Sequence, residues 1–157
     1  MNIERFQPGQ EEEVSRLIRR TLLEVGAGVD PQWEIDWLYE HYSPENVAEM
    51  AAKGHTYVIR EDGVITGTGT VTATGEDESE IIAAFLLPEA IGHGRGAKLF
   101  AVLEADPLAA GARRLWLTTS VMARGFYERQ GYEYVSGYRQ RGEDGLCAME
   151  KFPNGKG

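Results

Sequence analysis

The chain has a single cysteine, Cys147, in 157 residues, so it can close no internal disulfide. A lone thiol suits a reducing compartment, and a cytoplasmic location is the expectation. Only three histidines occur, and none stands at ligand spacing from another or from the cysteine, which leaves no pattern for a structural metal. The apolar runs fall far short of the roughly 20 residues needed to cross a bilayer, so no membrane partner is expected. The opening MNIERFQPGQEEE lacks a basic start and an apolar stretch, and it does not read as a signal peptide. Positive charge is also scarce: 16 Lys and Arg against 25 Asp and Glu give a net charge of −9. Binding to a phosphate backbone needs a basic surface, which argues against nucleic acid as the main partner. The acidic excess favours a cationic substrate through long-range attraction, although solubility alone accounts for it.

A chain of this length is expected to fold as one domain, spanning 1–153, with residues 154–157 as a frayed tail. Its centre is the stretch Glu80–Phe100, EIIAAFLLPEAIGHGRGAKLF. Ile81 to Leu87 is an apolar run of strand length, and Pro88 ends it because proline cannot donate to a ladder. Gly92, Gly94 and Gly96 follow, and then Leu99, Phe100, Val102 and Leu103 read as a buried helix. Strand, glycine turn and helix together form a phosphate-binding arrangement. Glycines let the backbone approach an anion, and the helix start offers unpaired N–H groups and the positive end of a dipole. The spacing is neither that of a dinucleotide fold nor that of a P-loop. An ordinary turn is the alternative, since the chain has 19 glycines.

Before this stretch, Ile3 and Phe6 mark a short strand. Val14, Leu17, Ile18, Leu22 and Val25 share one helical face, with Glu11, Glu12 and Glu13 in the first turn. Asp30-Pro31 and Ser43-Pro44 open two further helices. The first of them carries Trp33, Trp37, Leu38 and Tyr42, and its two tryptophans are expected in the core rather than on a binding wall. Residues 55–60 and 64–73 read as a hairpin around Asp62-Gly63. After the glycine loop the helix runs to about Ala105, where Pro107 ends it, and a strand covers 113–119. A helix over 121–130 follows, then strands over 132–138 and 146–152 around Glu143-Asp144-Gly145. The order predicts a mixed α/β (α+β) architecture with helices on both faces of the sheet.

The central stretch resembles the pyrophosphate loop of the GNAT superfamily of N-acetyltransferases. Leu86-Leu87-Pro88 matches the strand end and Gly94-Arg95-Gly96 the close of the loop, while Ile91 stands where the family usually has Gln or Arg. A second stretch, Ala123 to Tyr132 (ARGFYERQGY), matches the signature A-x-x-F-Y-E-[KR]-x-G-[FY] in the right order after the loop. The resemblance covers nearly the whole chain. It implies a mostly antiparallel central sheet splayed at the cofactor site, with acetyl-CoA as cosubstrate and an amine-bearing acceptor.

Amide formation from a thioester needs a deprotonated amine, a polarised carbonyl and a stabilised thiolate. The resemblance makes Tyr127 the candidate acid, with Phe126 expected to take the core position beside it. Glu80, at the head of the central strand, is the candidate base, acting directly or through water; the alternative is an exposed strand start in an acidic run. Leu86 is expected to supply the oxyanion N–H. Gly92, His93, Gly94, Arg95, Gly96 and Ala97 are expected to bind the diphosphate, and Ser120 to hydrogen-bond the cofactor. Arg95, Lys98, His93 and Arg124 are candidates for added charge near the phosphates. The reaction expected is direct attack in a ternary complex, by a monomer or homodimer. A non-catalytic acyl-CoA sensor, or an enzyme acting on proteins or peptides, are the alternatives.

Overall fold

The computed structural model describes residues 1–119, 123–135 and 147–155. Among them one sheet of seven strands runs in the order β1-β2-β3-β4-β5-β7-β6. Its strands are β1 (Asn2–Arg5), β2 (His55–Glu61), β3 (Val64–Gly75), β4 (Glu78–Leu86), β5 (Arg114–Thr119), β6 (Glu133–Tyr134) and β7 (Cys147–Lys151). All neighbours are antiparallel except β4 and β5. The mixed, mostly antiparallel sheet expected from the sequence is therefore present.

Helices α1 (Glu11–Thr21), α2 (Gln32–His41) and α3 (Pro44–Lys53) cover one face. Val14, Leu17 and Ile18 of α1 pack there with Ile35, Val47, Val58 and Ile65. Ser43 caps α3 as its hydroxyl accepts from the Asn46 amide at 3.2 Å. Helices α4 (Arg95–Ala105), α5 (Pro107–Ala110) and α6 (Arg124–Arg129) belong to the other face. Leu99, Phe100 and Leu103 meet Val71, Ile81, Leu115, Leu117 and Met149 there. No helix of the described residues is long and apolar enough to cross a membrane.

Three expectations need correction. Pro107 does not simply end a helix; it starts α5, because the Asp106 carboxylate caps that turn by accepting from the Leu108 amide at 2.9 Å. Trp33 and Trp37 are not core: they are 53% and 58% exposed, since α2 packs through Ile35, with Leu38 and Tyr42 behind it. The helix expected over 121–130 is shorter, Arg124–Arg129, with residues 121 and 122 outside the described set. The strand expected over 132–138 is seen at Glu133–Tyr134. Residues 136–138 and the turn Glu143-Asp144-Gly145 lie outside the described residues.

One irregularity sets the geometry of the site. In the β3–β4 ladder Thr68 pairs with Phe85 and Thr70 with Ile82, so Ala83 and Ala84 together oppose Gly69. This is a β-bulge, and Ala83 takes a φ of +55° to make it. The pleat is consequently reset. Ile81 packs against the α4 face, yet Ala83 packs against the α1–α3 face, although strict alternation would put them together. Past the bulge, Phe85 and Leu87 face α1–α3 while Ala84 and Leu86 face α4.

The end of β4 is tied to α1. The buried Thr21 hydroxyl donates to the Leu86 carbonyl at 2.7 Å. Thr21→Val keeps the shape and removes the donor, and it should cost about 1–3 kcal/mol. Urea denaturation of the two proteins measures the difference.

Candidate active site

Strands β4 and β5 are paired over only three positions, Glu78 with Arg114, Ser79 with Leu115 and Glu80 with Trp116. Beyond Glu80, β4 continues to Leu86 and β5 to Thr119 without further pairing between them. β3 holds β4 on one side and β7 holds β5 on the other. The result is a wedge with unpaired strand backbone along it, the arrangement to which an extended ligand can add as a strand would. The Leu87 amide donates to the Thr66 carbonyl at 2.9 Å. Bonding alternates along an antiparallel ladder, so the Leu86 N–H faces the other way, into the wedge.

The loop stands at the end of the same strand. Gly92 and Gly94 have φ of +87° and +80°, values that favour glycine strongly. Gly94 precedes α4, which starts at Arg95. The amides of Gly92, His93, Gly94, Arg95, Gly96 and Ala97 make no hydrogen bond to any described residue. Six consecutive amides without a partner among the described residues, leading into the start of an 11-residue helix, are a cradle of the shape an anion needs. A Cβ on Gly96 would come within 2.9 Å of the Phe126 ring, so helix α6 lies hard against the underside of this cradle.

The Arg95 side chain points elsewhere. Its Nε and Nη2 donate to the two oxygens of Glu61 at 2.8 and 3.0 Å, in a bidentate pair that ties α4 to the β2–β3 hairpin. Thr66 donates to the same carboxylate at 2.7 Å. The Arg95 guanidinium, followed by Thr66, holds the Glu61 carboxyl down at about 2. His93 and Lys98 are exposed on the outer side of the loop, where they line a cavity of about 400 Å³ with Arg95, Glu61, Glu89 and Met1.

Glu80 lies on the α1–α3 side of the sheet, because its neighbour Ser79 points the other way and donates to the Leu108 carbonyl of α5 at 2.7 Å. It is half-buried, and burial raises its carboxyl above the ordinary carboxylate range. Burial and, behind it, the Glu80 charge push the Tyr42 phenol up to about 12. Burial also raises the Tyr127 phenol, with the nearby Tyr42 adding to it. Beside Glu80 opens a cavity of about 270 Å³, walled by Thr72 and Ile82 of the sheet and by His41, Tyr42, Asn46, Glu49, Met50 and Lys53. Thr72 is the ladder partner of Glu80.

The fold thus sets Glu80 and Leu86 on β4 along the wedge and residues 92–97 beyond its end, and it packs Tyr127 into the core cluster that Leu86 also meets. Two expectations are corrected. Phe126 was to take the core position instead of Tyr127, but Tyr127 is the buried one and Phe126 packs against it partly buried. Tyr127 is 8% exposed, and its ring meets those of Phe100 and Phe126 at 5.4 Å and of Tyr132 at 6.1 Å. Arg95 and Arg124 direct guanidinium groups at Glu61 and at the Cys147 sulfur, the latter at 2.9 Å. Ser120 lies outside the described residues. Sequence reasoning missed the bulge at Ala83 and the Glu61 pairing, neither of which has a local signal. Tyr42, which falls on the Ile35–Leu38 side of α2, lines the cavity beside the sheet.

A mixed sheet that parts beside a helix-start anion cradle is the architecture of an acyl-CoA-dependent N-acetyltransferase. The profile of the acetyltransferase (GNAT) family matches residues 21–132, and the chain belongs to that family. Among solved structures it is similar to the PaiA N-acetyltransferase of Thermoplasma acidophilum in complex with coenzyme A. That match has 18% identity over 97% of this chain and 99% of that one, with a TM-score of 0.78. It is also similar to a GNAT-family acetyltransferase of Staphylococcus aureus Mu50, at 14% identity over 98% and 99% of the chains and a TM-score of 0.75. The aminoglycoside 6′-N-acetyltransferase of Enterococcus faecium aligns at 16% identity over 98% and 97%, with a TM-score of 0.71. A search of curated proteins finds no match.

The Glu61–Arg95 pair has a pH signature. The Glu61 carboxyl is lowered on folding, so its contribution is complete above the unfolded value of 4.5 and fades as pH falls from there towards about 2. The stability difference between the protein and its Glu61→Gln variant should therefore be largest near neutrality and shrink steadily below pH 4.5. Denaturant midpoints measured across that range test the sign.

Proposed function

We propose that the protein transfers an acetyl group from acetyl-CoA to a primary amine by direct attack in a ternary complex. The observation that carries this reading is the set of six unbonded amides, Gly92 to Ala97, at the mouth of the β4–β5 wedge. The residues fit the cosubstrate: an anion cradle for a diphosphate, an unpaired strand edge for an amide-bearing arm, and a half-buried carboxyl at the wedge apex. Acetyl-CoA supplies the activated thioester carbonyl.

The protein's own groups then have distinct tasks. The amides of residues 92–97 hold the diphosphate, with no help from the Arg95 side chain, which is occupied by Glu61. The Leu86 N–H, facing the wedge, stabilises negative charge growing on the carbonyl oxygen. Glu80, with its carboxyl raised by burial, takes a proton from the amine directly or through water. A C–N bond forms as the C–S bond breaks; the proton lost at nitrogen goes to Glu80 and on to solvent, and the thiolate leaves hydrogen-bonded and takes its proton from solvent. Tyr127 keeps its proton throughout the neutral range, since burial raises its phenol. A phenol held so firmly stabilises the departing sulfur by donating a hydrogen bond. Cys147, on β7 opposite Thr119 of β5, is fully buried and takes no acyl group.

A thiol-release assay with acetyl-CoA against a panel of amines, amino acids and peptides tests the activity; release with none of them overturns it. Tyr127→Phe should slow turnover by about 10- to 100-fold while CoA binding is kept. An unchanged rate removes Tyr127 from the mechanism. Because the Glu80 carboxyl is raised, kcat/KM should fall with decreasing pH along a limb lying above the usual carboxylate pKa of about 4.3. Glu80→Gln should abolish that limb and lower the plateau. Cys147→Ala should retain activity, and a dead but folded variant would refute the direct route.

A further inference from the structure

The outward face of α2 combines two features that nothing in the catalytic reading uses. Trp33, Trp37 and His41 follow one another at four-residue steps, and all three are exposed. The Trp37 and His41 rings stack at 4.7 Å with an interplanar angle of 11°. His41 is also a wall of the cavity beside Glu80. The aromatic stripe is therefore continuous with that cavity and leads out of it, each step climbing about 6 Å along the helix. Large exposed aromatic rings in a row are costly to leave in water and mark a surface that meets something.

The charge around the stripe says what. Asp36 and Glu40, which immediately precede Trp37 and His41, are exposed, and α2 carries no Lys or Arg. Asp36 accepts from the Gln32 side-chain amide at 2.8 Å. Arg19 lies over Tyr39 at 4.4 Å, but Tyr39 is two residues from both Trp37 and His41 and so on the far side of the helix. Lys53, on the cavity wall, is paired with Glu49 at 2.6 Å. Aromatic faces flanked by carboxylates bind organic cations, through the ring quadrupole and direct charge attraction. The chain's net charge of −9 draws the same ligands towards it.

We infer that the Trp33–Trp37–His41 face of α2 is a second acceptor subsite, which holds a non-reacting cationic group of an elongated amine while its other end sits beside Glu80. This rests on the N-acetyltransferase reading of the site and narrows its acceptor to molecules with at least two separated positive charges. Trp37 is then a specificity residue.

The test compares primary monoamines with α,ω-diamines of the same chain length, from three to eight carbons, using acetyl-CoA and thiol release. The diamines should be preferred in kcat/KM, most at the lengths that reach from the cavity to Trp37. In Trp37→Ala that preference should fall about tenfold, mainly through KM, and Trp37→Phe should restore much of it. Asp36→Asn with Glu40→Gln should lower it as well, and added salt should weaken it in the parent. Trp37 is exposed, so these variants should fold, and their circular dichroism checks this. Equal use of both amine series, or an equal loss for both in Trp37→Ala, overturns the inference while leaving the transferase reading intact. A dimer that Trp37→Ala dissociates, with the diamine preference unchanged, overturns it too. Failure of every amine overturns the activity itself.

Discussion

The site depends on two strands that start as partners and do not stay so. β4 and β5 pair from Glu78 to Glu80 and then separate, although each has several residues left to pair. Separation leaves strand backbone unsatisfied, which proteins avoid unless a ligand or water takes its place. Here the cost is offset on the outer sides, where β3 and β7 hold the two strands along their lengths. The bulge at Ala83–Ala84 helps, because an extra residue on one strand bends it and increases its local twist. It falls just past Glu80, the last residue of β4 that β5 shares, and well before the glycine loop. The wedge, the Leu86 amide and the cradle at residues 92–97 all follow from that bend.

The anion cradle belongs to a strongly acidic protein, and its construction reflects this. The cation closest to the helix start, Arg95, is paired on both faces of its fork with Glu61. The donors left for an anion are main-chain amides, whose partial charges do not titrate and whose directions are fixed by the loop. Phe126 beneath Gly96 stiffens the arrangement from below. An anion at this position would be met by geometry more than by net charge, and an overall charge of −9 is compatible with that.

Much of this was legible in the sequence because it is written locally. The apolar run before Pro88, the alternate glycines and the Phe-Tyr-Glu segment each carry their meaning within about ten residues. What escaped is written across the chain. The bulge residue is an alanine at positive φ, with no glycine or asparagine to announce it. Arg95 was free to be an anion ligand until the β2–β3 hairpin brought Glu61 within reach. The assignment of Phe126 to the core in place of Tyr127 assumed that adjacent residues must part company. In the corner between α4 and the sheet, Phe100 meets both rings, one edge-on and one tilted. The two tryptophans failed for a related reason: helical spacing shows that Trp33 and Trp37 share a face, and only packing shows that Ile35 lies on the inner one.

The bulge also limits how this chain can change. Surface loops commonly gain or lose residues with little effect on what they join. Deleting one residue at position 83 or 84 would instead rotate everything downstream on β4 by half a pleat. Phe85 would turn from α1 to α4 and Leu86 the opposite way, and the Leu86 amide would swing from the wedge towards β3. A single extra alanine thus keeps chemistry and packing in phase, and length variation in descendants of this protein should bypass that point.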